Sequence, residues 1–149
     1  MMPPGVSIRP AAASDQALIR QWVREARLDP TSLRWTQFVI AEIDDEVVGI
    51  GQVRPAAPEL GSLVVRPDRR GEGVGGALIE ALLARHPGDM YLECRPALAD
   101  YYTRFGFERI PWQAAPWPLK LKAGLGNLLG AVFGISPAVM VRRATDEPD

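Results

Sequence analysis

The stretch from Leu60 to Ala77, LGSLVVRPDRRGEGVGGA, limits what this chain can fold into more than any other. An apolar run, Leu63-Val64-Val65, ends in Arg66-Pro67, and an arginine pair then leads to four glycines within Gly71–Gly76. The run favours a strand, and the apolar residues from Ala77 to Ala84 favour a helix. Between them, closely spaced glycines let consecutive backbone N–H groups converge on one anion, and the helix dipole favours negative charge there. A ligand-free helix entry is the plain alternative, but so many glycines cost it backbone entropy. The segment therefore predicts a strand–loop–helix unit that cradles a phosphorylated cofactor.

Three glycine patterns compete for this loop. Gly71, Gly73 and Gly76 satisfy G-x-G-x-x-G, and Glu93 lies near the acidic offset of a dinucleotide site. That fingerprint begins directly after its strand, near the start of the fold. Here Arg66–Arg70 intervene, and residues 1–59 come first. A P-loop needs Lys then Ser or Thr after its last glycine, whereas Gly76 is followed by Ala77-Leu78. The third pattern, Arg/Gln-x-x-Gly-x-Gly/Ala, is met by Arg70, Gly73 and Gly75.

Composition narrows the class. A chain of 149 residues can bury enough surface for one good core. Its net charge of −1 gives no reason to expect nucleic acid or an anionic membrane as partner. One cysteine, Cys94, permits no internal disulfide and suits a reducing compartment. MMPPGVSIRP lacks the apolar core of a secretory signal, and no apolar run is long enough to span a bilayer. The expectation is a cytoplasmic protein. With one histidine (His86) and one cysteine, no zinc site and no plausible nucleophilic triad is expected.

Periodicity and turn residues predict the elements. Val6–Arg9 reads as a first strand, and Ser14-Asp15 as the cap of a helix reaching about Arg27, with Ala17, Leu18, Trp22, Val23 and Ala26 on one face. Phe38–Ile43 and Val47–Val53 flank Asp44-Asp45-Glu46 as a hairpin. Glu59–Val65 is a fourth strand, Gly76–Arg85 a helix, and Met90–Cys94 a fifth strand. Leu98–Phe105 is a short helix ended by Gly106; Phe107–Ile110 and Ala138–Arg143 are strands six and seven. Residues 1–144 read as a single domain, and 145–149 as a disordered acidic tail.

Two motifs on this order of elements resemble the GNAT superfamily of N-acetyltransferases. One is the Arg70-x-x-Gly73-x-Gly75 loop, similar to that family's coenzyme A pyrophosphate loop. The other is Tyr101-Tyr102-Thr103-Arg104-Phe105-Gly106-Phe107, similar to its Tyr-x-x-x-Gly-Phe segment with Tyr102 in the tyrosine's place. The resemblance implies an α/β fold: a mixed, mostly antiparallel sheet of seven strands, helices on both faces, and a long insertion between strands six and seven. It also implies acetyl-CoA as cosubstrate, no metal, and direct transfer of acetyl to a primary amine. A small amine, an amino acid, a peptide N-terminus and a lysine side chain all remain open as acceptor. A non-catalytic acyl-CoA-binding or protein-interaction module with the same fold is the alternative.

Roles follow from the resemblance, residue by residue. Arg70, Gly71, Glu72, Gly73, Val74, Gly75 and Gly76 would cradle the pyrophosphate, and backbone groups of Leu63, Val64 and Val65 would meet the acetyl carbonyl and pantetheine amides. Tyr102 would contact the coenzyme and lend its proton to the departing thiolate. Glu59 falls where several members keep a general-base glutamate, although a solvated strand-end glutamate fits as well. Gly61 could mark a bulge in the fourth strand. Cys94 reads as inert packing rather than a nucleophile. Arg69 could be solvated or meet a ribose phosphate.

The segment 111–137 is the most particular to this chain. Leu121, Leu125, Leu128 or Leu129, and Val132 recur at helical spacing, although three glycines weaken the helix. No acidic residue occurs between Arg109 and Thr145, while Lys120, Lys122, Arg142 and Arg143 are basic. A lid over the acceptor, packing against the sheet, a homodimer contact and a membrane-surface helix are its open roles. Trp35, Trp112 and Trp117 would border the acceptor.

Overall fold

Among the described residues, seven strands and four helices form the framework. The computed structural model describes residues 5–133 and 136–144, with the backbone alone at 131–133. The expected acidic tail lies outside the described residues. The strands are β1 Val6–Pro10, β2 Phe38–Ile43, β3 Glu46–Arg54, β4 Glu59–Val65, β5 Met90–Cys94, β6 Glu108–Ile110 and β7 Ala138–Arg142. The helices are α1 Gln16–Glu25, α2 Val74–Arg85, α3 Ala99–Thr103 and α4 Leu119–Phe133. Strand order across the mixed sheet is β1-β2-β3-β4-β5-β7-β6. The chain divides into two compact units, Met1–Arg54 with Leu60–Arg85, and Pro55–Glu59 with His86–Asp149.

In the first unit, β1 and β2 run antiparallel with Val6 opposite Ile43, and β2 and β3 form a hairpin. Its tip is Asp44-Asp45, with φ of 51° and 63°; aspartate tolerates this left-handed region better than most residues. Helix α1 buries Ile19 and Val23 against Phe38, Ile40 and Ile50, with Leu18 and Trp22 at the margin. It begins after Asp15, as the sequence predicts, and ends at Glu25, short of the expected Arg27. Residues Ala13–Asp15 form a tight 3₁₀ turn. The Asp15 side chain makes no cap bond to α1. It accepts instead from the Ala12 N–H at 2.7 Å and from both terminal nitrogens of Arg9, at 2.8 and 3.1 Å.

Helix α2 buries Val74, Leu78, Ile79 and Leu82. It lies close to β3 because β3 carries glycines beneath it. A Cβ on Gly49 would come within 2.8 Å of Leu78 Cδ1, and one on Gly51 within 3.2 Å of Leu82 Cδ1. That close seat fixes where α2 begins.

In the second unit, β7 pairs antiparallel with β5, Met90 opposite Arg142, and with β6, Glu108 opposite Val141. Glu59 and Tyr91 form a parallel bridge. The core joins Ala57, Ala115, Leu119, Ala123 and Val139, with Tyr91, Ile110 and Trp112 packed against it. Helix α4 occupies the connection between β6 and β7, and its glycines are points of close approach. A Cβ on Gly124 would lie 2.9 Å from the Trp112 ring, and one on Gly126 3.0 Å from Pro137. The face of α4 seated on the unit is therefore small-residued. Leu121, Leu125, Leu128 and Leu129 point outward, each more than half exposed. The leucine spacing does mark a helix, but it marks the solvent side; packing of those leucines against the sheet is not what the fold uses.

Candidate active site

The glycine loop begins with a Pro67–Arg69 turn and an extended Arg70, whose Nε donates to the Val65 carbonyl at 3.3 Å. Gly71 and Gly73 follow with φ of +82° and +87°, a region that side chains other than Asn and Asp rarely adopt. Gly73 closes the first helical hydrogen bond, its carbonyl accepting from Ala77 N–H at 3.1 Å. Helix α2 thus starts at Val74, two residues earlier than the sequence predicts, because burial of the Val74 side chain beside Gly49 pulls that residue into the first turn. Gly75 and Gly76 are accordingly helical. Backbone N–H groups in that first turn have no intrahelical partner and can point at an anion. Glu72 is exposed and lies 3.7 Å from Arg69, while Arg69 Nε is buried without a hydrogen-bond partner among the described residues.

Upstream of this loop, β4 is bent at a residue the sequence does not flag. Ser62, not Gly61, has the left-handed φ, +51°. Gly61 serves space instead: the Arg54 guanidinium occupies the place of its missing side chain. The strained Ser62 is held by its hydroxyl, which accepts from Gln52 Nε2 at 2.8 Å and from Arg54 at 3.2 Å. Gln52 in turn accepts from Gln37 at 2.6 Å, so a buried polar chain fixes the bend just before Leu63, Val64 and Val65. Nothing in the local sequence pattern announces this chain, since its members lie on three separate elements.

In the second unit, Glu59 is buried, 6% exposed, and its Oε2 stands 2.5 Å from the Lys122 Nζ of α4. The solvated strand-end reading of Glu59 is therefore wrong. Lys122 is the residue sequence reasoning missed.

Tyr102 sits on α3 with its ring edge-on to Tyr101, at 5.3 Å, and to Phe107, at 6.1 Å. Burial, helped by Cys94 and Tyr101, pushes its phenol up to about 12, so it holds its proton throughout the neutral range. That is well above the value of an unperturbed tyrosine, so the hydroxyl is available as a hydrogen-bond donor rather than as a ready source of a proton. Tyr101 meets Phe105 edge-on, at 5.4 Å, and lies under Arg104. Helix α3 ends at Thr103, short of the expected Phe105, and Gly106, with φ of +91°, closes the turn that follows; a side chain there would press on Arg142, whose Nε donates to the Phe105 carbonyl at 3.0 Å. Burial also raises the Cys94 thiol, which keeps it in its unreactive form. Among the described residues no group of His, Cys, Asp or Glu could hold a metal ion, and no helix is long and apolar enough to cross a membrane. Trp112 is packed under α4, and Trp117 is 63% exposed.

The chain matches the model of an acetyltransferase (GNAT) domain over residues 34–109. No curated protein matches the sequence significantly. Among solved structures, N-acetylglutamate synthase from Neisseria gonorrhoeae, in complex with coenzyme A and N-acetyl-glutamate, is similar at a TM-score of 0.75 and 18% identity over 94% of this chain. The present chain spans only 35% of that enzyme. A protein of Mycobacterium tuberculosis in complex with CoA is similar at a TM-score of 0.72 and 18% identity, covering 93% of this chain and 99% of its own. The ribosomal-protein alanine N-acetyltransferase of Escherichia coli follows at 0.67 and 15%, with 97% of each chain covered.

Proposed function

The chain belongs to the GNAT acetyltransferase family, and from that premise we propose that it transfers acetyl from acetyl-CoA directly to a primary amine. The observation that carries this reading is the left-handed pair Gly71 and Gly73 immediately before the N-terminus of α2. Arg70 to Gly76 bind the pyrophosphate through backbone N–H groups, with the Arg70 guanidinium as counter-charge. The bend at Ser62 leaves the Leu63–Val65 backbone to meet the acetyl carbonyl and pantetheine amides, and the Leu63 N–H serves as oxyanion donor. Glu59 accepts the proton of the incoming ammonium, and the Tyr102 hydroxyl donates to the departing sulfur. A single cysteine, Cys94, suits a reducing, cytoplasmic setting. Solved relatives of this shape include one bound to N-acetyl-glutamate and one named for an alanine of a ribosomal protein, which supports amino acids and peptide N-termini as the first acceptors to test.

One observation favours a second reading. Glu59 is already paired with Lys122, as it would be in a module that binds acyl-CoA without catalysis. Thiol release from acetyl-CoA with a panel of amino acids, peptide N-termini and small amines separates the two. Release with at least one amine supports the transferase. Tight binding of acetyl-CoA without release by any amine supports the binding module.

A further inference from the structure

We propose that Lys122 is a self-acetylation site, its ε-amine taking acetyl from acetyl-CoA with Glu59 as the proton acceptor. The inference rests on the acetyltransferase reading above and concerns the same carboxylate. Only two of the 17 basic residues are lysines, Lys120 and Lys122, and both lie on α4. Their surroundings differ. Lys120 has no ion-pair partner among the described residues, whereas the Lys122 Nζ lies 2.5 Å from Glu59 Oε2.

The pairing is built into how α4 is seated. Leu119 and Ala123 are buried in the core, and Gly124 lies on the Trp112 ring. The face they define carries Lys122 inward, while Leu121 and Leu125 on either side of it are exposed. Glu59 is 6% exposed on a strand, so the carboxylate is fixed and the flexible lysine comes to it. A primary ammonium at hydrogen-bond distance from the group assigned to deprotonate acceptors meets the proton-transfer part of the geometry required of any acceptor. Being part of the chain, it also needs no diffusional encounter with Glu59, unlike a free acceptor.

The step balances. The Lys122 ammonium passes one proton to Glu59 and on to solvent. The nitrogen lone pair then attacks the thioester carbonyl carbon, an N–C bond forms and the C–S bond breaks. The second nitrogen proton ends on the coenzyme A sulfur. The products are an amide on Lys122 and free thiol, with no oxidant or further reactant. The amide is neutral, so the modification removes the cation beside Glu59.

The test incubates the full chain with acetyl-CoA and no added acceptor, at several protein concentrations, and locates acetyl groups by peptide mass spectrometry. One acetyl is expected on Lys122, formed about 10²-fold faster than on Lys120 and at a rate independent of protein concentration. Lys122→Arg, which keeps a cation beside Glu59, should carry none on α4 beyond the slow Lys120 product. Glu59→Gln should slow the mark on Lys122 about 10²-fold with an unchanged circular dichroism spectrum. If that variant does not fold, the Lys120 comparison in the unsubstituted chain still decides. Equal acetylation of the two lysines, or a rate proportional to protein concentration, would overturn the proposal. A parallel assay of thiol release with free amines tells the two failures apart. Release with amines but no mark on Lys122 removes this inference alone, and neither release nor mark removes the transferase reading with it.

Discussion

Tyr102 depends on burial for its character. Its phenol keeps its proton because the ring is enclosed by Tyr101 and Phe107, so the hydroxyl is a donor at any working pH. Tyr102→Phe should lower kcat on the order of 10²-fold while leaving acetyl-CoA affinity nearly intact, since the donor acts mainly in the transition state. Tyr101→Phe should change kcat far less, and steady-state kinetics of the two variants settle the assignment; equal losses would contradict it. Asp15 offers a stability test at the same scale. Hydrogen bonds from Arg9, and then the Ala12 N–H, hold its carboxyl below the ordinary aspartate value of 3.8. The unfolded chain therefore takes up the proton first on acidification. The contribution is complete above pH 3.8 and disappears as pH falls toward the lowered folded value. Asp15→Asn should cost about 1–3 kcal/mol at neutral pH and flatten the acid limb of the stability curve, read by denaturant unfolding. The family resemblance points to Tyr102, four residues before Gly106, and to Glu59 ahead of the loop. It could not point to Lys122, because that pairing bridges sixty-three positions and needs α4 to be seated first.

Helices show where pattern and packing part company. Strands β4 and β5 have the boundaries that apolar runs and turn residues predict, since both are short and tightly punctuated. Helix α2 begins earlier than its glycines imply: Val74 is buried, and tertiary packing overrode their weak propensity. Helix α4 is the sharper case. Its leucines repeat at helical spacing, yet the buried face is Leu119 and Ala123, with Gly124 against Trp112. Small residues bury by close approach, and hydrophobicity alone cannot reveal it. The contrast predicts that Leu119→Ala destabilises by about 2–4 kcal/mol, whereas Leu125→Ala stays within about 0.5 kcal/mol. Thermal or denaturant unfolding of the two variants checks it, and equal costs would mean that the leucine face is covered in solution.

At the scale of the molecule, the order of elements was legible because each strand is bounded by Gly, Pro or Asp. The position of β7 between β5 and β6 was not legible, since no local pattern dictates which strand lies beside which. The polar chain from Gln37 through Gln52 to Ser62 and Arg54 was not legible at all, being assembled from residues far apart in sequence. The proposed function places one requirement on the glycine loop: the left-handed turn before α2 must hold the coenzyme. The direct measurement is unfolding free energy with and without saturating acetyl-CoA, for the unsubstituted chain and for Gly73→Asp. Aspartate tolerates the left-handed backbone but sets a carboxylate against the pyrophosphate. The account predicts stabilisation of about 2.7 kcal/mol at one hundred times the dissociation constant for the first, and none for the second. Equal stabilisation of both chains would contradict it, because the coenzyme would then be held elsewhere.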